Sequence, residues 1–377
     1  MTRIPSSRPC FVGHELEYIE EAVRGGHISG NGPFTKRCEA LLERELGAAR
    51  VLLTTSCTHA LEMSALLLNI APGDEVIVPS FTFVSTINAF ALFGARPVFC
   101  DIRPDTLNMD ETLLPELVTD RTRAIVPVHY AGISCDMDSI AKTANDAGVA
   151  IVEDNAHGLF GKQDGKVLGS TGDFSTVSFH ETKNFSCGEG GALIINNPKW
   201  VEAAEIAREK GTNRIAFNRG EVDKYTWMER GSSWLPSDLL AAFLLAQLEC
   251  KERILELRKS IFMKYCSRLR GWAAANDVRL PLIPNGCESA WHMFHLLLPT
   301  PEARTRFLAH MNEREVAAVF HYIPLHTSPM GSRISGKPSG CPVTERISAT
   351  MARLPYYDDL SDDELDRVCE AVQSFRV

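Results

Sequence analysis

Seven short runs of β-branched, aliphatic and aromatic residues punctuate the first half of the chain. They are Arg50–Leu53, Glu75–Pro79, Pro97–Asp101, Ala124–Val128, Val149–Glu153, Phe174–Phe179 and Ala192–Ile195. The gaps between the first six are mostly about 20 residues with helical patterning, enough for a crossover helix between parallel strands. Ala71–Asp74 and Leu92–Ala95 hold the turns that end helices ahead of the next strand. The alternation predicts a mainly parallel sheet with helices on both faces. The last gap differs: about a dozen residues, including Gly188–Gly191, are too few for a crossover, so a tight return and an antiparallel last strand are expected.

Past Pro198 the pattern turns helical over Val201–Lys210, and a polar segment rich in Arg, Asn, Tyr and Trp, Gly211–Ser233, follows. Ser237–Leu269 reads as one long or broken helix with Ser237 as its N-cap. Further on, a strand at His292–Pro299 and helices near Glu302–Asn312 and Asp362–Ser374 predict a smaller α+β domain. The expected organisation is an N-terminal segment (1–30), a large α/β domain (31–249) and a small C-terminal domain (250–377).

Composition narrows the classes. With 45% hydrophobic and 23% charged residues in 377, the chain has ordinary globular usage rather than that of a disordered or fibrous protein. Lys+Arg 39 against Asp+Glu 48 gives a net charge of −9, and there is no basic run to meet a nucleic acid. The longest apolar stretch, Leu239–Ala246, is far short of the roughly 20 residues of a membrane span. No apolar run follows the N-terminal arginines, so no secretory signal is expected. Eleven cysteines without a CxxC pair suggest small buried hydrophobes in a reducing cytoplasm.

Three local clusters suggest chemistry. Ser178-Phe179-His180-Glu181-Thr182-Lys183-Asn184 ends a predicted strand and precedes the glycine cluster. A lysine there is a candidate Schiff-base amine, provided that it is desolvated enough to be neutral near pH 7; a solvated strand-end lysine is the ordinary alternative. Val152–His157 places Asp154 at the carboxyl end of the preceding strand, where a carboxylate can hold a pyridine nitrogen protonated, or can simply cap a helix. Thr54–His59 precedes a helix and offers hydroxyls and free amides, either a phosphate site or a plain capped start. Neither GxGxxG nor GxxxxGK[ST] occurs in such a place.

Together these clusters resemble fold-type-I pyridoxal-phosphate enzymes, and more narrowly the DegT/DnrJ/EryC1/StrS sugar aminotransferases. Pro79–Thr86, Val152–His157, Ser178–Lys183, Gly188–Gly191 and His321–His326 are similar to five of that family's motifs in order and spacing, over about residues 10–375. Gly30–Thr35, Pro127–Gly132, Arg208–Arg214 and Val222–Trp227 are similar to segments of the transaminases that act at C4 of dTDP-4-keto-6-deoxyglucose.

The resemblance implies a PLP-dependent transferase of fold type I: a seven-stranded, mostly parallel sheet between helices, with a smaller C-terminal domain. It implies a cytoplasmic homodimer with sites at the interface, using L-glutamate and a dTDP-sugar, with pyridoxamine phosphate as the intermediate form of the cofactor. Lys183 would be the catalytic, cofactor-bearing lysine, Asp154 the partner of the pyridinium nitrogen, and Phe83 the aromatic face on the ring. Cys57, Thr58 and Ser178 would serve the phosphate, and His157 would lie beside the ring, where a structural histidine is the alternative. Many relatives reach the partner subunit's cofactor phosphate with an Asn in a GYNxR segment; here Ser233 stands at that place, with a shorter reach. Substrate contacts are expected from Lys210, Arg214, Arg219, Lys224, Tyr225 and Trp227, whose stretch could otherwise be a solvated loop, and from His321 and His326. His292 and His295, three residues apart in the expected strand, should face opposite ways and are not read as metal ligands. A C3 transaminase shares all these motifs. A sugar dehydratase of the family should lack the lysine, and a non-enzymatic regulator is the remaining alternative.

Overall fold

The computed structural model describes residues 2–335 and 340–377. The seven apolar runs form one sheet in the order Arg50–Thr54, Gly191–Ile195, Phe174–Ser178, Ala150–Asp154, Thr122–Ile125, Glu75–Pro79, Arg96–Cys100. Only Gly191–Ile195 runs antiparallel to its neighbours, as the short return from Phe179 requires. The strands are buried almost throughout, which explains their near-continuous apolar sequence. One apolar cluster, with Phe90, Phe99 and Phe174, fills one face; the other face is covered by two, one with Phe34, Phe179 and Phe185 and one with Ile77, Val98 and Ile125.

The region after Lys251 has its own core, built around Tyr265, Phe294, Phe307 and Leu365. Ile4 joins this core, and its backbone bonds to Glu315 and Ala317, so the first residues are tied into the C-terminal region. The helix Glu15–Arg24 instead packs on Asp238–Glu249.

Several expectations need adjusting. Ser237 caps its helix through the Leu240 amide, but the helix breaks at Cys250 into Asp238–Glu249 and Lys251–Ala275. The helix from Val201 ends at Arg208, since Lys210 takes a left-handed φ of 63°. The strand expected over His292–Pro299 shrinks to His295–Leu297, because Trp291 turns the chain with φ 54°. The hairpin of Lys162–Gln163 and Lys166–Val167, turning at Asp164-Gly165, was not expected. No helix among the described residues is long and apolar enough to cross a membrane.

Candidate active site

The sheet brings its chemistry to one edge. Asp154 and Ser178 end two parallel strands, and the helices Cys57–Leu67 and Ser85–Ala91 begin just beyond two others. This is the carboxyl edge, where open α/β sheets hold ligands.

Lys183 sits in the return loop between Phe174–Ser178 and Gly191–Ile195. Phe179 and Phe185, both fully buried, pin that loop to the core. Backbone bonds from the Phe179 amide to Gly190 (2.8 Å) and from the Glu181 amide to Gly188 (2.9 Å) close it. Asn184 donates from Nδ2 to the Ala290 carbonyl (2.6 Å), clamping the residue next to Lys183 to the C-terminal half. Burial lowers the Lys183 pKa to about 8, against the opposing pull of Cys57 and Asp154. Such an amine is about a tenth neutral at pH 7 and half neutral at about 8, far more than an ordinary lysine, which meets the condition set for a nucleophile.

Asp154 is buried. Its Oδ2 accepts from the Thr86 hydroxyl (2.8 Å) and its Oδ1 from the Ala156 amide (3.2 Å). No helix follows Asp154, so it caps none. Burial raises its pKa, while the Thr86 bond and the Lys183 charge pull the other way. A cation on the open side would stabilise this carboxylate, and a protonated pyridine nitrogen is such a group.

The helix at Cys57 offers the complementary site. Ser56 caps it, accepting from the His59 amide (3.1 Å), while the amides of Cys57 and Thr58 meet no acceptor among the described residues. The Thr58 hydroxyl donates to Ser85 Oγ (2.8 Å). Gly191 passes so close that a Cβ there would stand 2.3 Å from the Cys57 nitrogen and 2.4 Å from the Ser56 carbonyl carbon. Two free amides at a helix start, with nearby hydroxyls, suit a phosphate. Amine, buried carboxylate and phosphate cradle together fit pyridoxal phosphate.

Aromatic and imidazole groups line the C-terminal side. His157 is buried, stacked on His292 with centroids 4.2 Å apart, and lies 3.4 Å from the Tyr322 hydroxyl. The expectation that His292 and His295 face opposite ways fails, because the Trp291 turn takes His292 out of the strand. His292 stacks on His157, while the His295 ring is 6.5 Å from that of Tyr130, itself 5.9 Å from His157. His321 reaches the Tyr130 hydroxyl through Nδ1 (2.6 Å). Burial, reinforced by nearby positive charge, holds His157, His292 and His321 well below the usual histidine pKa, so all three are neutral imidazoles. Phe83 is exposed on the open side, 6.3 Å ring to ring from Tyr322.

The remaining expected residues divide. His326 lies elsewhere, with Nδ1 on Ser80 Oγ (2.6 Å) and Nε2 on Glu345 (3.0 Å), so neither ring nitrogen is open to a substrate. Arg219 is engaged by Glu205, Arg214 by Glu209 (3.6 Å) and Lys210 by Glu209 (2.8 Å). Lys224, Tyr225, Trp227 and Ser233 are exposed, with Tyr225 beneath the Arg214 guanidinium (5.8 Å). Tyr130 and Tyr322 lie inside the Pro127–Gly132 and His321–His326 segments, which gave them no individual role, whereas Arg353 and His292 stand in no local motif and come to the site only through tertiary structure.

A buried-strand sheet with a desolvated lysine, a carboxylate at the strand end and a phosphate cradle defines a pyridoxal-phosphate transferase of fold type I. The chain belongs to the DegT/DnrJ/EryC1/StrS aminotransferase family, whose model matches residues 9–373. It is 32% identical over 378 residues to the spore coat polysaccharide biosynthesis protein SpsC of Bacillus subtilis, covering 98% of this chain and 96% of that one. The aminotransferase TlmJ of Streptoalloteichus hindustanus is 30% identical, with 98% of each chain covered and a TM-score of 0.90. The sugar aminotransferase Spr1654 of Streptococcus pneumoniae superposes in its PMP form with a TM-score of 0.91 at 28% identity, covering 98% of each chain. It also superposes in its PLP form, with a TM-score of 0.90 at 27% identity, over 99% of this chain and 98% of that one. The protein is an aminotransferase, and its cofactor is pyridoxal phosphate.

Proposed function

We propose that the enzyme transfers an amino group from L-glutamate to C4 of dTDP-4-keto-6-deoxyglucose, giving a dTDP-4-amino-4,6-dideoxyhexose and 2-oxoglutarate. The observation that carries the reading is the Lys183 amine, its pKa brought to about 8 beside the buried Asp154 carboxylate. The choice of sugar rests on the sequence resemblance over Gly30–Thr35, Pro127–Gly132 and Arg208–Trp227.

Pyridoxal phosphate, when bound, supplies the electron sink for the carbon from which a proton leaves. In this reading Lys183 holds it through Nζ, Asp154 meets its ring nitrogen, and Phe83 covers one ring face. His157 lies beside it, and Cys57, Thr58 and Ser178 hold its phosphate. Lys183 Nζ takes the proton from the donor's Cα and later delivers one to the sugar's C4, so the sugar face presented to it fixes the configuration. Burial depresses the basicity of His157, which makes it a poor proton acceptor and leaves that proton traffic to Lys183. The dTDP moiety meets the exposed stretch at Lys224, Tyr225 and Trp227, from a partner subunit in a cytoplasmic homodimer, and Ser233 extends toward the partner's site. The division into 1–30, 31–249 and 250–377 belongs to the same reading.

Product NMR after incubation with dTDP-4-keto-6-deoxyglucose and L-glutamate tests the proposal. An amino group at C4 supports it. An amino group appearing only with a 3-keto sugar nucleotide makes the enzyme a C3 transaminase.

A further inference from the structure

Glu153 precedes Asp154 on the strand Ala150–Asp154, so its side chain leaves by the opposite face of the sheet. It is fully buried there, and four donors meet its carboxylate. The amides of Thr171 and Gly172 donate to Oε1 (both 2.7 Å), while the Gly169 amide (3.1 Å) and His129 Nε2 (2.8 Å) reach Oε2. His129 is equally buried. Its Nδ1 accepts from the Cys135 amide (3.2 Å), which leaves Nε2 to donate to Glu153. Burial works against the Glu153 charge, yet the His129 bond and the backbone amides hold its pKa below the ordinary value.

Each partner stands next to a residue of the site. Pro127–His129 runs alongside Asp154 on two backbone bonds, from the Asp154 amide to the Pro127 carbonyl (2.9 Å) and from the His129 amide to the Asp154 carbonyl (3.2 Å). Pro127 has no amide to give back to that strand, so the ladder loses a donor close to Asp154. Beyond His129, the Ala131 amide points at His157 Nδ1 (3.4 Å), and the Tyr130 ring lies 5.9 Å from that of His157. The Glu153–His129 bond thus joins, from behind, the strand that carries Asp154 to the turn that seats His157. The Gly169–Gly172 loop meets the same carboxylate just ahead of the strand Phe174–Ser178.

We propose that Glu153 and His129 are a positioning pair for the cofactor site: from the far face of the sheet they set where Asp154 presents its carboxylate and where Tyr130 and Ala131 hold His157. Their effect passes through the residues that follow them in the chain. This rests on the reading in which Asp154 meets the ring nitrogen of pyridoxal phosphate, and it is independent of which sugar is aminated. A carboxylate at a strand end keeps its aim only as far as that strand is fixed, and a misplacement of about 1 Å can cost roughly 100-fold in rate.

The experiment compares cofactor-loaded wild type, His129→Leu, His129→Gln, Glu153→Gln and Asp154→Asn, with rates counted per bound cofactor. The absorbance of the bound cofactor is followed against pH, and its change with L-glutamate alone reports the donor half-reaction. His129→Leu leaves three amides on Glu153 and fills the space, so a folded protein is expected. Its half-reaction at saturating glutamate should slow on the order of 10- to 100-fold, with the half-saturating concentration changed less than about threefold. The pH midpoint of the absorbance should move in the direction that it moves in Asp154→Asn, by a smaller amount. Glu153→Gln should behave in the same way, and either of the two variants decides if the other does not fold. His129→Gln can again donate an N–H toward Glu153 and should recover part of both losses. A lower melting temperature with wild-type rate and midpoint overturns the proposal and leaves the pair a structural bond only. If Asp154→Asn itself keeps the wild-type rate and midpoint, the ring-nitrogen reading fails, and the positioning role fails with it.

Discussion

The imidazole of His292 lies face to face with that of His157, centroids 4.2 Å and planes 18° apart. His292 Nδ1 in turn meets Asn184 Oδ1 at 2.9 Å, and Asn184 follows Lys183 in the chain. The stack thus links the residue beside Lys183 to the C-terminal half. Both rings are neutral, so the contact carries no charge repulsion while it stays dry.

That neutrality predicts a pH dependence of stability. A histidine whose folded pKa is depressed binds a proton in the unfolded chain first, so its contribution is full above about pH 6.5 and is lost as pH falls. Each of His157, His292 and His321 should contribute a slope of up to about 1.4 kcal/mol per pH unit below that point. Thermal melts should show the midpoint falling between about pH 7 and pH 5, and His292→Asn should flatten the fall. An unchanged slope in His292→Asn would mean that this imidazole is not buried neutral.

The Lys183 amine makes a second prediction, about rate. Capture of a carbonyl needs the free base, so pyridoxal phosphate uptake by cofactor-stripped enzyme should accelerate with pH and level off above about 8. Lys183→Ala should abolish both turnover and borohydride-trappable cofactor. A variant that kept more than about a tenth of the activity would remove Lys183 from the reaction, since general acid–base groups are typically worth 10²–10⁴-fold.

Asp154 and Thr86 should separate by magnitude. Asp154→Asn keeps the shape but cannot stay anionic, so turnover should fall steeply in a folded protein. Thr86→Val removes one hydrogen bond to Oδ2 and should cost about 1–2 kcal/mol, roughly a tenfold change. Near-normal kinetics in Asp154→Asn would reduce Asp154 to a purely local structural role.

Much of this arrangement is legible in the chain. The sheet is, because buried strands of this length read as apolar runs and the short gap before Ala192 permits only an antiparallel return. Lys183, Asp154 and Cys57 stand in local strings at strand ends, so their neighbourhood follows once the strand order is known. His292 and Arg353 are different. Arg353 reaches the site only through the pairing of His295–Leu297 with Met351–Arg353, and His292 only because Trp291 adopts a left-handed φ that no tryptophan advertises. His326 misled for the same reason: nothing in its local motif reveals that Ser80 and Glu345 occupy both nitrogens. The Asp164-Gly165 hairpin has a recognisable turn, but two residues per strand leave no alternation to read.

Gly191 offers a stability test beside the phosphate cradle. Its absent side chain lets the strand pass against Ser56 and Cys57, where an added Cβ would meet backbone rather than a movable side-chain tip. Gly191→Ala should therefore cost about 1–3 kcal/mol and displace the helix start. Pyridoxal phosphate affinity should drop even where the protein remains folded at assay temperature. Unchanged stability and affinity would show that this close approach is not needed.

The loop from Lys210 to Arg230 gives the last test, because its cations are not equivalent. Arg219 is committed to Glu205, which also holds Arg50 at 3.0 Å, and Arg214 is drawn toward Glu209. Lys224 forms no ion pair among the described residues and is exposed beside Tyr225 and Trp227. Arg219→Ala should therefore lower the melting temperature, since it leaves a largely buried carboxylate short of a partner. Lys224→Ala should leave stability unchanged and raise KM for the sugar nucleotide several-fold, by about 1 kcal/mol for one exposed charged contact. It should leave KM for glutamate alone. If the loop serves the neighbouring subunit, mixing Lys224→Ala with Lys183→Ala subunits should give heterodimers with one site of wild-type KM. Equal KM values for wild type and Lys224→Ala, or a monomer in sedimentation, would place nucleotide recognition elsewhere.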